Sequence, residues 1–184
     1  MSYKNKAQDI IPPKHIWVGN PEAPVTVVEF GDYESEACAK LQEVIRELLV
    51  KYEDKIRFQF RHFPLTQIHQ RAHKAAEAAV AASQQGKFWE MHNLLFRHRR
   101  NLGAISLNEY AQEAGVHDKN FIPNLIDSVY GWTVRADLLE GLDLGVREVP
   151  AVFINGERFT GTPNLANLGK AVEDALKKGK KKRA

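Results

Sequence analysis

A chain of 184 residues, of which 43% are hydrophobic and 27% are charged, suits one globular domain with a sizeable core. No apolar run approaches the roughly 18 residues that a membrane-spanning helix requires, and the N-terminal residues lack the apolar segment of a secretory signal. The single cysteine cannot form an internal disulfide, so the sequence predicts a cytoplasmic protein without a membrane partner.

The formal net charge of +3 at pH 7 is dominated by the C-terminal end. Once its cations are set aside, the rest of the chain is mildly acidic. No aromatic residue interleaves with these cations, so residues 177–184 are interpreted as a disordered, solubilising tail rather than a nucleic-acid contact. The cations are Lys177, Lys178, Lys180, Lys181, Lys182 and Arg183.

The N-terminal part of the chain is predicted to contain an arm and a β-α-β unit. Residues 1–14 form the arm, and a short strand follows at 15–18. The nearly continuous apolar run at 25–30 is typical of a buried strand in a parallel sheet. A helix over 35–52 and an alternating strand over 56–60 complete the unit, whose two strands are expected to be parallel.

Residues 66–144 are predicted to form an inserted, all-helical subdomain. Ser106 and Glu109 have the spacing of a capping box, so one of its helices is expected to open at Ser106. The predicted helices cover 69–85, 87–99, 106 to the residue before Gly115, 119–128 and 132–144.

The C-terminal part returns to strands before a final helix. Residues 151–154 read as an apolar strand, and Asn155-Gly156 is a strong signal for a two-residue hairpin turn. A returning strand at 158–160 and a helix over 164–177 follow.

This order of elements predicts an α/β, thioredoxin-like fold with an inserted all-helical subdomain. The thioredoxin-like domain is discontinuous, formed by residues 15–65 and 145–176, and the insertion occupies residues 66–144.

Five ordered blocks of sequence carry a family resemblance. They are G-N-P-E-A-P-V-T-V-V-E-F-G-D-Y-E, F-R-H-F-P-L, A-A-E-A-A, G-K-F-W-E-M-H-N-L-L-F and V-P-A-V-F-I-N-G. In this order they resemble the DsbA-like thioredoxin-fold oxidoreductases, most of all the soluble members without a secretory signal. The resemblance extends from about His15 to Leu176.

The resemblance implies a C-P-x-C motif after G-D-Y-E, and this sequence departs from it. The four positions hold Ser35, Glu36, Ala37 and Cys38. Cys38 therefore matches the second, resolving cysteine, and Ser35 stands where the family has its attacking cysteine. A site with one thiol cannot cycle between dithiol and disulfide, so the expected function is that of a thiol-disulfide oxidoreductase homologue without dithiol catalysis.

Two interpretations of each residue stay open at this point. Ser35 suits the N-cap of the following helix, or it takes part in catalysis. Cys38, one turn into that helix, is expected to be buried with a raised pKa, and Glu34 and Glu36 are expected to oppose its thiolate. It is either a small core residue or a single thiol that forms a mixed disulfide.

Glu29 interrupts the apolar strand just before the turn, where burial of an acid is unfavourable. The resemblance implies a glutamate that helps to move the proton of the resolving thiol. The alternative is a strand end at which the carboxylate reaches water.

The resemblance also implies a substrate-binding side of the site. Pro150 would be a cis-proline that faces the turn, and the backbone of Val149 would pair with an extended peptide. Glu36 and Ala37 would contact the same substrate.

No metal or tightly bound cofactor is predicted. His69 and His73 have a helical i, i+4 spacing but lack a third ligand with a telling spacing. G-x-G-x-x-G and P-loop patterns do not occur. Glutathione is the one small molecule that the sequence suggests as a ligand.

Three functions remain open, and enzymatic activity is uncertain. The first is a DsbA-family homologue that exchanges at most a single thiol with glutathione or a protein partner. The second is a glutathione-dependent transferase or isomerase in which Ser35 donates a hydrogen bond to the glutathione thiolate. The third is a non-catalytic module that binds a peptide or protein beside Val149 and Pro150.

Overall fold

A five-stranded mixed sheet forms the centre of the protein, in the strand order β1-β3-β2-β4-β5. The computed structural model describes residues 10–181. The strands are β1 (Val18–Gly19), β2 (Val25–Gly31), β3 (Ile56–His62), β4 (Ala151–Ile154) and β5 (Glu157–Arg158). The helices are α1 (Glu36–Lys51), α2 (Ala72–Ser83), α3 (Phe88–Arg97), α4 (Ala104–Glu113), α5 (Phe121–Ile126), α6 (Gly131–Asp143) and α7 (Leu165–Lys181).

The predicted β-α-β unit is confirmed. β2 and β3 are parallel, with Val25 opposite Ile56 and Gly31 opposite His62, and α1 connects them. α1 buries an apolar stripe that includes Leu41, Ile45 and Leu48, because these residues recur at the spacing of a helix face.

β4 pairs with the other edge of β2 in an antiparallel register. Phe30 lies opposite Ala151, and Glu29 lies opposite Val152. The residue before β4, Pro150, therefore lies at the end of the sheet where β2 runs into the turn that contains Ser35. The division into a discontinuous domain and an insertion stays a prediction, but residues 66–144 do contain only helices and turns.

α2 lies at the centre of the helical segment, where ten of its residues are buried, most of them alanines. Such small side chains allow neighbouring helices to approach closely. α6 is joined to β3 by a buried ion pair, in which Arg61 Nε donates to Asp137 Oδ1 at 2.7 Å. The helical segment is thereby anchored to the sheet beside the end of β2.

Several predicted boundaries are wrong. Of the strand predicted at 15–18, His15 instead ends a 3-10 helix at Pro13–His15, where proline is favourable, and the observed strand is only Val18–Gly19. α4 begins at Ala104 with Gly103 as its N-cap, so Ser106 does not open a capping box. The predicted helix over 119–128 is confined to Phe121–Ile126.

The turn at Asn155-Gly156 is confirmed by positive φ angles of 48° and 81°, as a tight hairpin turn requires. Its second strand occupies Glu157–Arg158 rather than 158–160.

The predicted disordered tail is wrong for residues 177–181. α7 continues through Lys181, and Lys178 Nζ lies 3.2 Å from a carboxylate oxygen of Glu157. Residues 182–184 of the predicted tail, and residues 1–9 of the predicted N-terminal arm, lie outside the described residues.

Candidate functional site

The turn between β2 and α1 is held in shape by the buried carboxylate of Asp32. Its Oδ1 accepts the N–H of Glu34 at 2.7 Å. Its Oδ2 accepts the N–H of Leu65 at 2.8 Å and the Nδ1–H of His69 at 2.9 Å. The turn is therefore clamped to the loop that follows β3, because one side chain satisfies donors from both segments.

Ser35 is the N-cap of α1, as predicted. Its backbone is extended, and its hydroxyl oxygen accepts the N–H of Cys38 at 3.2 Å. The residue is only 7% exposed. Its hydroxyl thus satisfies a backbone donor that a helix N-terminus otherwise leaves free.

Glu36 and Ala37 lie on the solvent side of the same turn. Glu36 forms ion pairs with Lys40 at 2.8 Å and with Arg99 at 3.2 Å. The carboxylate of Glu36 is thus engaged by two cations.

Cys38 is completely buried, and its thiol is strongly disfavoured as a thiolate. Burial raises the pKa of Cys38 far above its ordinary value, and the charge of Glu29 raises it further. Ser35 opposes this shift through its hydrogen bond. The prediction of a buried thiol with a raised pKa is confirmed, but Glu34 and Glu36 are not the carboxylates responsible, because the acids that act on the thiol are Glu29 and Asp32.

Glu29 is also completely buried. Burial raises its pKa to about 8, although a hydrogen bond from Gln42 to the carboxylate opposes the shift. Gln42 Nε2 donates to Glu29 Oε2 at 2.9 Å, whereas Oε1 has no hydrogen-bond partner among the described residues. The alternative of a strand end that reaches water is therefore wrong.

A chain of buried hydrogen bonds continues from Glu29 into the helical segment. Gln42 Oε1 lies 2.9 Å from His92 Nε2, and His92 Nδ1 lies 3.0 Å from the hydroxyl of Tyr33. We call Glu29, Gln42, His92 and Tyr33 the buried polar chain. Of its four members, only Glu29 is predicted from the sequence. The chain connects the sheet, α1, α3 and the turn.

Aromatic rings enclose the buried polar chain. The ring centroid of His92 lies 4.7 Å from that of Phe60 and 5.0 Å from that of Phe96. Burial holds the pKa of His92 well below its ordinary value, and neighbouring His62 and Arg46 lower it further. His92 is therefore a neutral imidazole in this environment.

The predicted site residues lie at one end of the sheet, where β2 leads into α1 and the chain enters β4. Ser35, Cys38 and Glu29 lie around the start of α1. The Val149-Pro150 peptide bond is cis, and both residues are partly buried where the chain enters β4. A surface cavity of about 670 Å³ lies elsewhere, between the β4-β5 hairpin and α7, and contains no residue of the turn.

His69 and His73 lie beside different carboxylates, and only His73 is within α2. His69 pairs with Asp32, and His73 Nε2 lies 3.3 Å from a carboxylate oxygen of Glu77. Within residues 10–181 there is no group of three or more side chains arranged to hold a metal ion.

Comparison with known proteins identifies the fold. The family model described as thioredoxin matches residues 12–174. BdbD from Bacillus subtilis superposes with a TM-score of 0.80 at 21% identity, over 90% of this chain and 93% of that chain. The thiol-disulfide exchange protein alpha-DsbA2 from Wolbachia pipientis gives a TM-score of 0.75 at 25% identity, over 94% and 91% of the two chains. The thioredoxin-like fold predicted from the sequence is confirmed.

A third similarity is to a much longer protein. The Na(+)/H(+) antiporter NhaA 1 of Salinispora arenicola is 42% identical over 159 residues, which is 86% of this chain and 24% of that protein. The chain spans about a quarter of the length of the curated relatives that it matches. Among the described residues, no helix combines the length and the apolar character that crossing a bilayer requires.

Proposed function

Because the chain belongs to the thioredoxin family, we propose that it is a DsbA-like thiol-disulfide oxidoreductase homologue that lacks dithiol catalysis and keeps Cys38 as a single, slow thiol. The observation that carries this proposal is the position of Ser35, whose hydroxyl caps α1 directly over the buried Cys38. Serine cannot form a disulfide, so the first step of a dithiol cycle has no nucleophile.

The remaining chemistry of Cys38 is monothiol exchange. In molecules in which Glu29 is ionised, the S–H bond breaks, its proton passes to that carboxylate, and the thiolate attacks one sulfur of a disulfide. The products are a mixed disulfide on Cys38 and a released thiolate. Burial of Cys38 makes this reaction slow, because the turn must open before a disulfide can reach the sulfur.

The proposed partner is glutathione or a protein or peptide thiol or disulfide. Glu36 and Ala37 present the exposed side of the turn, and Val149 and Pro150 lie where β4 begins. An extended peptide could pair with the backbone of Val149, which lies just before β4, in the way that peptides pair with exposed strand edges. A chain with a single cysteine also suits a reducing compartment, so a cytoplasmic location is part of the proposal.

The decisive experiment restores the missing thiol with Ser35→Cys. The variant should reduce a peptide disulfide with dithiothreitol as the terminal reductant, whereas the natural chain should be inactive. The introduced thiol would attack the substrate, and Cys38 would then resolve the mixed disulfide. The control is Ser35→Cys combined with Cys38→Ala, which should stop at the mixed disulfide when the peptide disulfide is added without dithiothreitol.

An inert Ser35→Cys variant would show that the missing cysteine is not the only defect. Intact mass after treatment with oxidised glutathione tests the natural chain separately, since monothiol exchange predicts slow formation of one adduct on Cys38. Saturable glutathione binding that is lost in Ser35→Ala would favour the transferase alternative. Peptide binding without any adduct would favour the non-catalytic module.

A further inference from the structure

In the buried polar chain, each residue donates its hydrogen bond towards Glu29. Both hydrogens of Gln42 Nε2 are engaged, one by Glu29 Oε2 at 2.9 Å and one by the carbonyl oxygen of Cys38 at 3.3 Å. Gln42 Oε1 is therefore an acceptor, and His92 Nε2, 2.9 Å away, must carry the hydrogen. His92 Nδ1 is then left to accept from the hydroxyl of Tyr33.

We propose that His92 is a positioning residue that holds the amide of Gln42 with its NH2 group towards Glu29 and thereby sets the protonation of Glu29. Every donor in the chain points towards the carboxylate, so the arrangement favours the ionised form. That Glu29 receives its proton from the Cys38 thiol rests on the proposed function, whereas the orientation of Gln42 does not.

The reverse orientation of Gln42 is excluded by its neighbours. A flipped amide would place its oxygen 2.9 Å from Glu29 Oε2 and 3.3 Å from the carbonyl oxygen of Cys38, so that acceptors would face one another, and it would direct its NH2 group at the Nε2–H of His92. Unpaired polar groups are costly in a buried environment, and both residues are almost entirely buried, with 5% of Gln42 and 2% of His92 exposed. The hydroxyl of Tyr33 donates to His92 Nδ1 when the ring hydrogen is on Nε2, so this tautomer satisfies all three groups.

This arrangement also determines which oxygen of Glu29 takes a proton. Oε2 is occupied by Gln42, so the proton goes to Oε1, which has no partner among the described residues. A methyl group at Gly31 would lie 2.9 Å from Oε1 and still closer to the ring of Phe60. Glycine at this position therefore keeps the space beside Oε1 free.

The surroundings of Glu29 contain few competing charges. Its neighbour on β4 is the apolar Val152, and its neighbour on β3 is Phe60. Other titratable or charged groups near the buried polar chain are Cys38 and Arg46 on α1, His62 on β3, Asp137 on α6 and Asp32 in the turn.

The carboxyl stretching band of Glu29 in infrared spectra provides the test, and the band is assigned by its absence in Glu29→Gln. In the natural chain the band should disappear as pH rises. In His92→Phe, Gln42 is free to turn, so the midpoint of this titration should rise by about one pH unit, a tenfold change in proton affinity. His92→Gln supplies an N–H donor at a similar position and should restore most of the original midpoint.

Phe88→Leu is the matched control, because Phe88 stacks on His92 at a centroid distance of 5.8 Å but offers no hydrogen bond. Its midpoint should equal that of the natural chain. An unchanged midpoint in a folded His92→Phe variant would overturn the proposal. If that variant does not fold, nitrogen chemical shifts of the natural chain decide, since the Nδ1–H tautomer of His92 would contradict the proposal and the Nε2–H tautomer would support it.

The test is separable from the proposed function. An inert Ser35→Cys variant together with a shifted midpoint in His92→Phe would refute the function and support the role of His92. Reductase activity in Ser35→Cys with no shift in His92→Phe would refute the role of His92 alone.

Discussion

Two buried carboxylates, at opposite sides of the same sheet end, are treated very differently by the fold. Asp137 on α6 accepts from Arg61 at 2.7 Å and from the backbone N–H of His62 at 3.0 Å. Glu29 on β2 accepts only from the neutral amide of Gln42, and its second oxygen is unpaired among the described residues. The charge of Asp137 is compensated by the guanidinium of Arg61, whereas the hydrogen-bond partner of Glu29 is a neutral amide.

Asp137 therefore has a structural role, whereas Glu29 is suited to proton transfer. A compensated pair holds helix and sheet together but gains little from changing its proton. An uncompensated acid with a pKa raised to about 8 destabilises the fold when ionised, and such groups are concentrated at functional sites. Glu29 and the thiol of Cys38 are therefore the groups at this sheet end that are suited to chemistry.

The largest expected change in the free energy of unfolding comes from removing the cation that pairs with Asp137. Arg61→Met removes the cation from Asp137 and leaves that carboxylate buried, which should lower the free energy of unfolding by about 3–5 kcal/mol. Urea unfolding monitored by circular dichroism measures the change. Arg46→Met is the control, because its ion pair with Glu43 is exposed and should contribute about 1 kcal/mol or less. Similar losses in both variants would remove the distinction between the two regions.

Removing the uncompensated carboxyl group of Glu29 should raise the free energy of unfolding at high pH. The pKa of Glu29 is about 8 in the folded protein against 4.5 ordinarily, so folding takes up a proton between these values and the free energy of unfolding falls as pH rises through this window. Glu29→Gln cannot ionise. Its stability relative to the natural chain should therefore increase by about 3 kcal/mol between pH 5 and pH 8.

Denaturant unfolding at several pH values checks this slope. Glu43→Gln is the matched control, since Glu43 is an exposed carboxylate on α1, and its stability profile should follow that of the natural chain. A Glu29→Gln profile parallel to the natural one would mean that Glu29 is ionised without penalty.

The smallest expected effect concerns the cap over the thiol. Ser35→Ala removes the acceptor of the Cys38 N–H and should lower the free energy of unfolding by about 1 kcal/mol. Ser106→Ala is the control, because Ser106 lies inside α4 rather than at its N-cap. Thermal unfolding compares the two variants, and equal midpoints would show that the hydroxyl of Ser35 does not stabilise the turn.

The turn could be predicted from the sequence because its signals are local. A serine before an amphipathic helix is a recognisable N-cap, and a cysteine three residues later must lie within the first turn of that helix. The parallel pairing of β2 with β3 followed from the alternation of strands and helices. Ser106 shows the limit of the same argument, because a capping spacing inside a helical run does not identify the residue that begins the helix.

The buried polar chain could not be predicted, because its members come from separate elements that meet only in the folded protein. One signal was present in the sequence. Gln42 is a polar residue on the apolar face of α1, next to Leu41 and four residues after Cys38, and a polar group at such a position must find a buried partner. The sequence contains no feature that identifies His92 as that partner.

The pairing of β4 with β2 has a consequence for the order in which the protein is made. The turn and its thiol leave the ribosome early, but β4 follows only after the whole helical segment has been synthesised. Until then, the β2 edge that pairs with β4 has no partner, and an open strand edge invites pairing with other chains. β4 therefore both completes the site and covers an open strand edge of the nascent chain.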